Sequence, residues 1–377
     1  MSYRRQEIQA LQNKDLASLL RMAQCNPLQR NAQRLAPTLR FRILKRRAAA
    51  YDPPPSPATE PMFAFLSNTA FLKAPVADAQ RYAVAGIAWD GSTTNRPGAR
   101  FGPRAIREAS HMLCDGEHPH FNVSPLGELG DCGDLALPNT SLTAMREAMA
   151  PLVAPLLARH HMAWLGGDHS ITLPLLHAYR AHCGRPLAVL HFDAHCDTWK
   201  DHFGEPSGHG TWVYEAIEQG LVERRCFVQV GIRSAGERAA REYVSDQGGA
   251  IHTARALRGL ESPSQLYPVL DDLRRRLAAH GHPPLYVSLD IDCLDPAFAP
   301  GTGTPEPGGL STNQVLSLLE GLADFDCIGM DCVEVAPPYD HADLTSYAAA
   351  QFVWTYLCSR IAFTRRAQKK AAARSSS

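Results

Sequence analysis

The stretch Leu190-His191-Phe192-Asp193-Ala194-His195-Cys196-Asp197 sets carboxylate and imidazole side chains at alternate positions directly after an apolar run. Alternate residues of an extended chain share a side, so Asp193, His195 and Asp197 are predicted to converge at the C-terminal end of a strand. Val287-Ser288-Leu289-Asp290-Ile291-Asp292 repeats the theme with two carboxylates one alternation apart. Burying like charges side by side is very costly unless something compensates them, and a bound cation is the simplest remedy. In Trp164-Leu165-Gly166-Gly167-Asp168-His169-Ser170 a strand gives way to a glycine turn and the start of a helix, which aims His169 into the same crevice. Cys196 alternates to the opposite side and reads as packing.

Four carboxylates and two imidazoles form a hard to borderline donor set that suits Mn²⁺, with Ni²⁺, Fe²⁺ and Co²⁺ also compatible. Six side chains are too many for one catalytic ion that must keep an open position. Two divalent ions sharing bridging carboxylates use them all, and four aspartate charges then offset the two cations.

Such residues need a scaffold that buries strands on both faces and leaves their C-terminal ends open. Short runs rich in Val, Ile and Leu at 82–89, 161–165, 187–193, 226–232, 285–292 and 327–335 predict strands. Helical patterns occur at 141–159, 171–183, 266–279 and 312–322, with a closing helix over 345–363. This rhythm predicts an α/β fold of three layers, α/β/α, around a mainly parallel sheet. Residues 61–363 form the predicted catalytic domain, and 364–377 a basic polar tail. Residues 1–60 form a basic N-terminal extension in which Ile8, Leu11, Leu16, Leu19, Leu20 and Ala23 suggest an amphipathic helix, followed by the stiff linker Tyr51-Asp52-Pro53-Pro54-Pro55-Ser56-Pro57.

The 377 residues are 45% apolar and 20% charged, enough to bury a core, and no apolar run approaches the roughly 18 residues of a membrane span. Ten scattered cysteines without a C-x-x-C pair read as reduced thiols of a cytoplasmic protein. An organelle-targeting role for the basic N-terminus is the alternative. The 38 basic and 38 acidic residues are unevenly placed. Residues 1–50 hold 11 Lys/Arg and two acids, and 361–377 hold five Lys/Arg and none, so 51–360 keep 22 basic against 36 acidic, a net charge of about −14. An acidic body argues against nucleic-acid binding and favours cations, whether metal ions or a cationic substrate.

These segments resemble the ureohydrolase family of arginase and agmatinase, close to its agmatinase branch, over roughly residues 62–360. The resemblance rests on GSTTNRPGARFG at 91–102, LGGDHSITLP at 165–174, HFDAHCDT at 191–198 and GHGT at 208–211. It continues through VSLDIDCLDPAFAPGTGTPEPGGL at 287–310 and GMDCVEVAPPYDH at 329–341. It implies an arginase-like fold and hydrolysis of a small guanidino compound to urea plus an amine or ammonia. His169, Asp193, His195, Asp197, Asp290 and Asp292 would hold two divalent ions per subunit, Mn²⁺ by default and Ni²⁺ as the alternative. Glu334 would pair with the guanidinium, His209 would contact substrate or shuttle a proton, and Asp197 would help carry a proton to the leaving nitrogen. Asn95, in the loop Thr93-Thr94-Asn95-Arg96-Pro97-Gly98, is expected near the substrate. Trp199 and Trp212 are expected at the mouth, where two indoles favour a compact substrate.

Agmatine is the default substrate, with guanidinobutyrate, guanidinopropionate, free guanidine and alkylated guanidines as alternatives. A homotrimer or homohexamer is implied. Two rival readings are a one-zinc, deacetylase-like amidohydrolase and a non-catalytic partner subunit of an active paralogue.

Overall fold

The computed structural model describes residues 69–375. The predicted N-terminal extension, with its helix and proline linker, lies outside the described residues. Eight strands form one sheet: β1 (Tyr82–Gly86), β2 (Leu129–Asp134), β3 (His161–Leu165), β4 (Leu187–Phe192), β5 (Val222–Val230), β6 (Ala250–His252), β7 (Leu285–Asp290) and β8 (Cys327–Val333). Their spatial order is β2-β1-β3-β8-β7-β4-β5-β6, and every pairing is parallel. The principal helices are α1 (Gly102–Ser110), α2 (Leu142–Arg159), α3 (Thr172–Cys183), α4 (Trp212–Glu218), α5 (Pro263–Ala279), α6 (Thr312–Gly321) and α7 (Leu344–Ser375).

Alternating strand residues feed two separate cores. Tyr82, Val84, Leu190 and Val287 pack with side chains of α1, α5, α6 and α7 on one face. Ala83, Ala85, Val189 and Tyr286 pack with those of α2, α3 and α4 on the other. A strand covered on both faces needs no polar side, which is why β1, β4 and β7 read as continuous apolar runs. The expected three layers are present.

Several boundaries differ from the sequence reading. The strands predicted to reach residues 89, 292 and 335 stop at Gly86, Asp290 and Val333, because the chain turns at the sheet's C-terminal edge. The strands β2 and β6 carry too little apolar pattern to be predicted: β2 reads LGDCGD at a sheet edge, and β6 has three residues. The last helix does not end at 363 but runs to Ser375, so the basic stretch extends a helix instead of forming a separate tail. Its alanines, lysines and arginines are good helix formers even without a buried face. No helix among the described residues is long and apolar enough to cross a membrane.

Candidate metal centre

The adjacent central strands β3, β8, β7 and β4 end side by side, and each delivers polar side chains to one crevice. After β3 the chain turns through Gly167, where an added Cβ would lie 1.7 Å from the Trp89 carbonyl oxygen, so only glycine fits. Asp168 then caps the short turn His169–Ile171, accepting from the Ser170 amide at 3.0 Å and from the Ser92 amide at 2.8 Å. The cap fixes the direction in which His169 leaves the backbone.

Beyond β4 the chain does not stay extended, contrary to the alternation argument. The His195 amide donates back to Asp193 Oδ1 at 2.5 Å, and Asp197 sits in the left-handed region at φ 52°. A turn, rather than a pleat, therefore brings Asp193, His195 and Asp197 together. Strain of this kind gathers at functional sites, where the surrounding structure must hold it. After β7, Asp290 accepts from the Asp292 amide at 2.8 Å, and Asp292 accepts from the Ala194 amide at 3.0 Å, tying the two acidic segments together.

All six residues predicted as metal ligands meet here. His169 Nδ1 lies 3.1 Å from Asp193 Oδ2, 3.3 Å from Asp197 Oδ2 and 3.1 Å from Asp290 Oδ2. Although fully enclosed, Nδ1 makes no directed hydrogen bond to any of them. His195 Nδ1 lies 3.0 Å from Asp292 Oδ2 and 3.4 Å from Asp193 Oδ1. Separations of about 3 Å are what neighbouring donors show around an octahedral ion with bonds near 2.1 Å. Asp193 belongs to both groups of candidate ligands, one oxygen toward each, as a bridging carboxylate would. The residues present fit two divalent cations.

The electrostatics agree. Burial pushes Asp290 well above the usual carboxylate range, and its neighbours Asp292 and Asp193 push it further. Burial alone would lower His169 and His195, but the aspartates around them raise both well above the ordinary imidazole value. These shifts mark a cluster with more carboxylates than its own imidazoles neutralise, a charge that divalent cations would offset.

His191 also falls within reach of this cluster, and its position after an apolar run gave no signal separating it from core packing. Its role is legible from its partners. Gln229 Nε2 donates to the Cys196 carbonyl at 2.9 Å, which fixes the amide's orientation, and the same nitrogen donates to His191 Nδ1 at 3.1 Å. The ring proton is therefore on Nε2, donated to Asp193 Oδ2 at 2.9 Å. His191 braces Asp193, and with both ring nitrogens engaged it leaves none free for an ion. Cys196 is buried as packing, as its alternation implied.

Glu334 follows β8 in the left-handed region at φ 63° and is 1% exposed. Its Oε1 accepts from the His169 amide at 2.8 Å and lies 2.9 Å from His209 Nδ1, while Oε2 is buried with no partner. Burial would lower His209, but Glu334 overrides it and pushes the imidazole up to about 9. His209 Nε2 meets the Thr94 hydroxyl at 3.0 Å.

Two expectations about the pocket need correction. Trp212 is not at the mouth: it is fully buried, its ring 4.9 Å from those of His169 and His191, and its indole N–H donates to Asp197 Oδ2 at 2.8 Å. Placed at the start of α4, it packs beneath the aspartates and holds one of them. Asn95 does not line the cleft; its amide donates to the Gly303 carbonyl at 2.9 Å, and Thr94 takes the lining position. Trp199 does line the cleft, together with Asp201, His202, Glu237 and Glu306, in a space of about 750 Å³ that also contains His195, Asp197, His209 and Asp290.

Comparison with known proteins follows the same outline. The family model for the arginase family matches residues 80–358. The chain is 39% identical over 288 residues to an agmatinase of Chromobacterium violaceum, covering 73% of this chain and 82% of the relative. It is 40% identical over 274 residues to an agmatinase of Cronobacter sakazakii, covering 71% and 84% respectively. Among solved structures, proclavaminate amidino hydrolase from Streptomyces clavuligerus superposes with a TM-score of 0.71 at 34% identity, covering 79% of this chain and 98% of that one.

Proposed function

The chain belongs to the arginase family as an agmatinase-like ureohydrolase, and from that premise we propose that it hydrolyses agmatine to urea and a diamine at a centre of two divalent ions. The observation that carries this reading is the juxtaposition of a buried six-donor cluster with Glu334, whose Oε2 still lacks a hydrogen-bond donor. A guanidinium is planar, permanently charged and rich in N–H groups, so it supplies what that oxygen lacks. Its carbon is resonance-stabilised and resists neutral water. When bound, Mn²⁺ or Ni²⁺ ions held by His169, Asp193, His195, Asp197, Asp290 and Asp292 supply an acidified water near neutral pH.

The protein's own groups do the rest. Glu334 orients the guanidinium, leaving its carbon facing the aspartates. Asp197, held by the Trp212 indole, is placed to accept a proton on the cleft side and pass it toward the departing nitrogen. His209, carrying a proton below about pH 9, stands ready to donate one. Asp201, Glu237 and Glu306 line the remaining cleft against one lysine, Lys200, and this balance favours an ammonium tail over a carboxylate. With Trp212 buried elsewhere, Trp199 is the one tryptophan of the pair in the cleft lining, and the space of about 750 Å³ accommodates a four-carbon tail.

The test is urea release by the purified full chain, loaded separately with Mn²⁺ and Ni²⁺, across agmatine, guanidinobutyrate, guanidinopropionate, guanidine and dimethylguanidine. Agmatine is expected to give the highest kcat/KM. Preference for a guanidino acid or for free guanidine would replace the substrate, and no urea from any of them would favour a non-catalytic partner subunit. Light scattering on the same preparation checks the expected homotrimer or homohexamer.

A further inference from the structure

We infer that Asp331, acting through Ser288, is a positioning residue that selects the tautomer of His169 and so presents its Nδ1 lone pair to the cation. The inference rests on the metal centre proposed above and concerns groups behind it.

Asp331 lies on β8 and Ser288 on the neighbouring β7, paired in register, and both are fully buried. Ser288 Oγ is 2.8 Å from His169 Nε2 and 2.7 Å from Asp331 Oδ1. A hydroxyl has one proton to give. Asp331 is surrounded by donors: Ser288 reaches Oδ1, while the Tyr286 and Thr172 hydroxyls each reach Oδ2 at 2.9 Å. Three hydroxyls converging on one carboxyl group are the surroundings of a group that accepts from all of them. An ionised carboxylate only accepts, so the Ser288 proton points to Asp331 and its lone pair faces His169. Nε2 must then be the protonated ring nitrogen.

The consequence appears on the other side of the ring. With the proton at Nε2, a neutral His169 offers a bare lone pair at Nδ1, and that atom faces the carboxylate oxygens of Asp193, Asp197 and Asp290 at 3.1–3.3 Å with no hydrogen bond of its own. Only a cation satisfies a lone pair enclosed by three carboxylates. Reversing the Ser288 hydroxyl would put a proton on Nδ1 and close the site to metal. A metal-bound imidazole usually gives its other N–H to such a partner, and losing that partner commonly lowers metal affinity 10- to 100-fold.

Mn²⁺ titration of the metal-free full chain, followed by the electron paramagnetic resonance of the unbound ion, tests this without substrate. Ser288→Ala and Tyr286→Phe each remove one hydroxyl from Asp331, but only the first touches His169. Ser288→Ala should weaken one of two Mn²⁺ ions by about 10- to 100-fold. Tyr286→Phe should stay within about threefold, and Ser288→Thr, which restores the hydroxyl, should recover most of the affinity. Equal losses in Ser288→Ala and Tyr286→Phe, or none in either, would overturn the relay while leaving the metal centre intact. Should Ser288→Ala not fold, Asp331→Ala takes its place, because it removes the acceptor that holds the Ser288 proton away from His169. A loss of tenfold or more there supports the relay, and unchanged binding refutes it. Wild-type chain that binds no Mn²⁺ and releases no urea would remove the centre itself, and the relay with it.

Discussion

Two buried groups of carboxylates, one at the β2 edge of the sheet and one at its centre, meet the same electrostatic problem in different ways. At the edge, Arg107 of α1 is fully buried and pairs with Asp131 through Nε at 2.8 Å and Nη2 at 3.0 Å, and with Asp134 through Nη1. Amides fill the remaining positions on Asp131: Phe71 N–H at 2.8 Å and Gly133 N–H also at 2.8 Å. At the centre, the carboxylates of Asp193, Asp197, Asp290 and Asp292 face three imidazoles, those of His169, His191 and His195, and among the described residues no arginine or lysine reaches a carboxylate oxygen there at hydrogen-bonding distance, while His169 Nδ1 and Glu334 Oε2 lack hydrogen-bond partners. The edge cluster is closed by its own chain. The central one is short of positive charge, and that deficit supports the proposal that ions and a cationic substrate complete it.

The contrast fails if either cluster behaves like the other. Asp193→Asn or Asp290→Asn should abolish Mn²⁺ retention and lower kcat by more than about 1000-fold while leaving the circular dichroism spectrum unchanged. Substantial activity in either would refute the assignment. Arg107→Met should do the reverse, leaving two carboxylates buried without a counter-charge. Denaturant unfolding should then show a loss of about 3–5 kcal/mol with the metal content of the folded protein preserved. Loss of metal without loss of stability would break the distinction.

Smaller effects sharpen the central half. Glu334→Gln removes the charge from the guanidinium anchor and should cost about 10- to 100-fold in kcat/KM at full metal occupancy. A normal rate would exclude the anchor. For pH the sign follows from His209, whose imidazole is raised to about 9 by Glu334 despite its burial. The pair is charged below that value and loses its proton above it, so kcat/KM should decline as pH passes about 9. His209→Asn should be slower and lack that decline, and persistence of the alkaline limb in the variant would assign it to another group.

Legibility in the sequence depended on distance along the chain. The Asp193-x-His195-x-Asp197 triplet and the Asp290-x-Asp292 pair are local, so type and spacing exposed them. Burial of Cys196 was likewise readable from its place between polar neighbours. Trp212 was misjudged because an indole near a loop looks the same whether it lines a mouth or floors a core, and only its 2.8 Å bond to Asp197 decides. Asn95 resembled a substrate contact until its amide was found to hold the Gly303 carbonyl. The strand β2 stayed hidden because an edge strand of glycine and aspartate takes its order from its neighbour and has no apolar face to announce it.

By itself the sequence determined the alternation of buried strands and amphipathic helices, the six candidate ligands and the shortage of positive charge around them, since these depend on residue type and short-range periodicity. Tertiary structure alone decided that β3, β8, β7 and β4 end together, that Asp193 serves both groups of donors, and that Ser288 and Asp331 stand behind His169. Those facts join residues from tens to more than a hundred positions apart, and their geometry follows from the order in which strands pair, which no local pattern encodes.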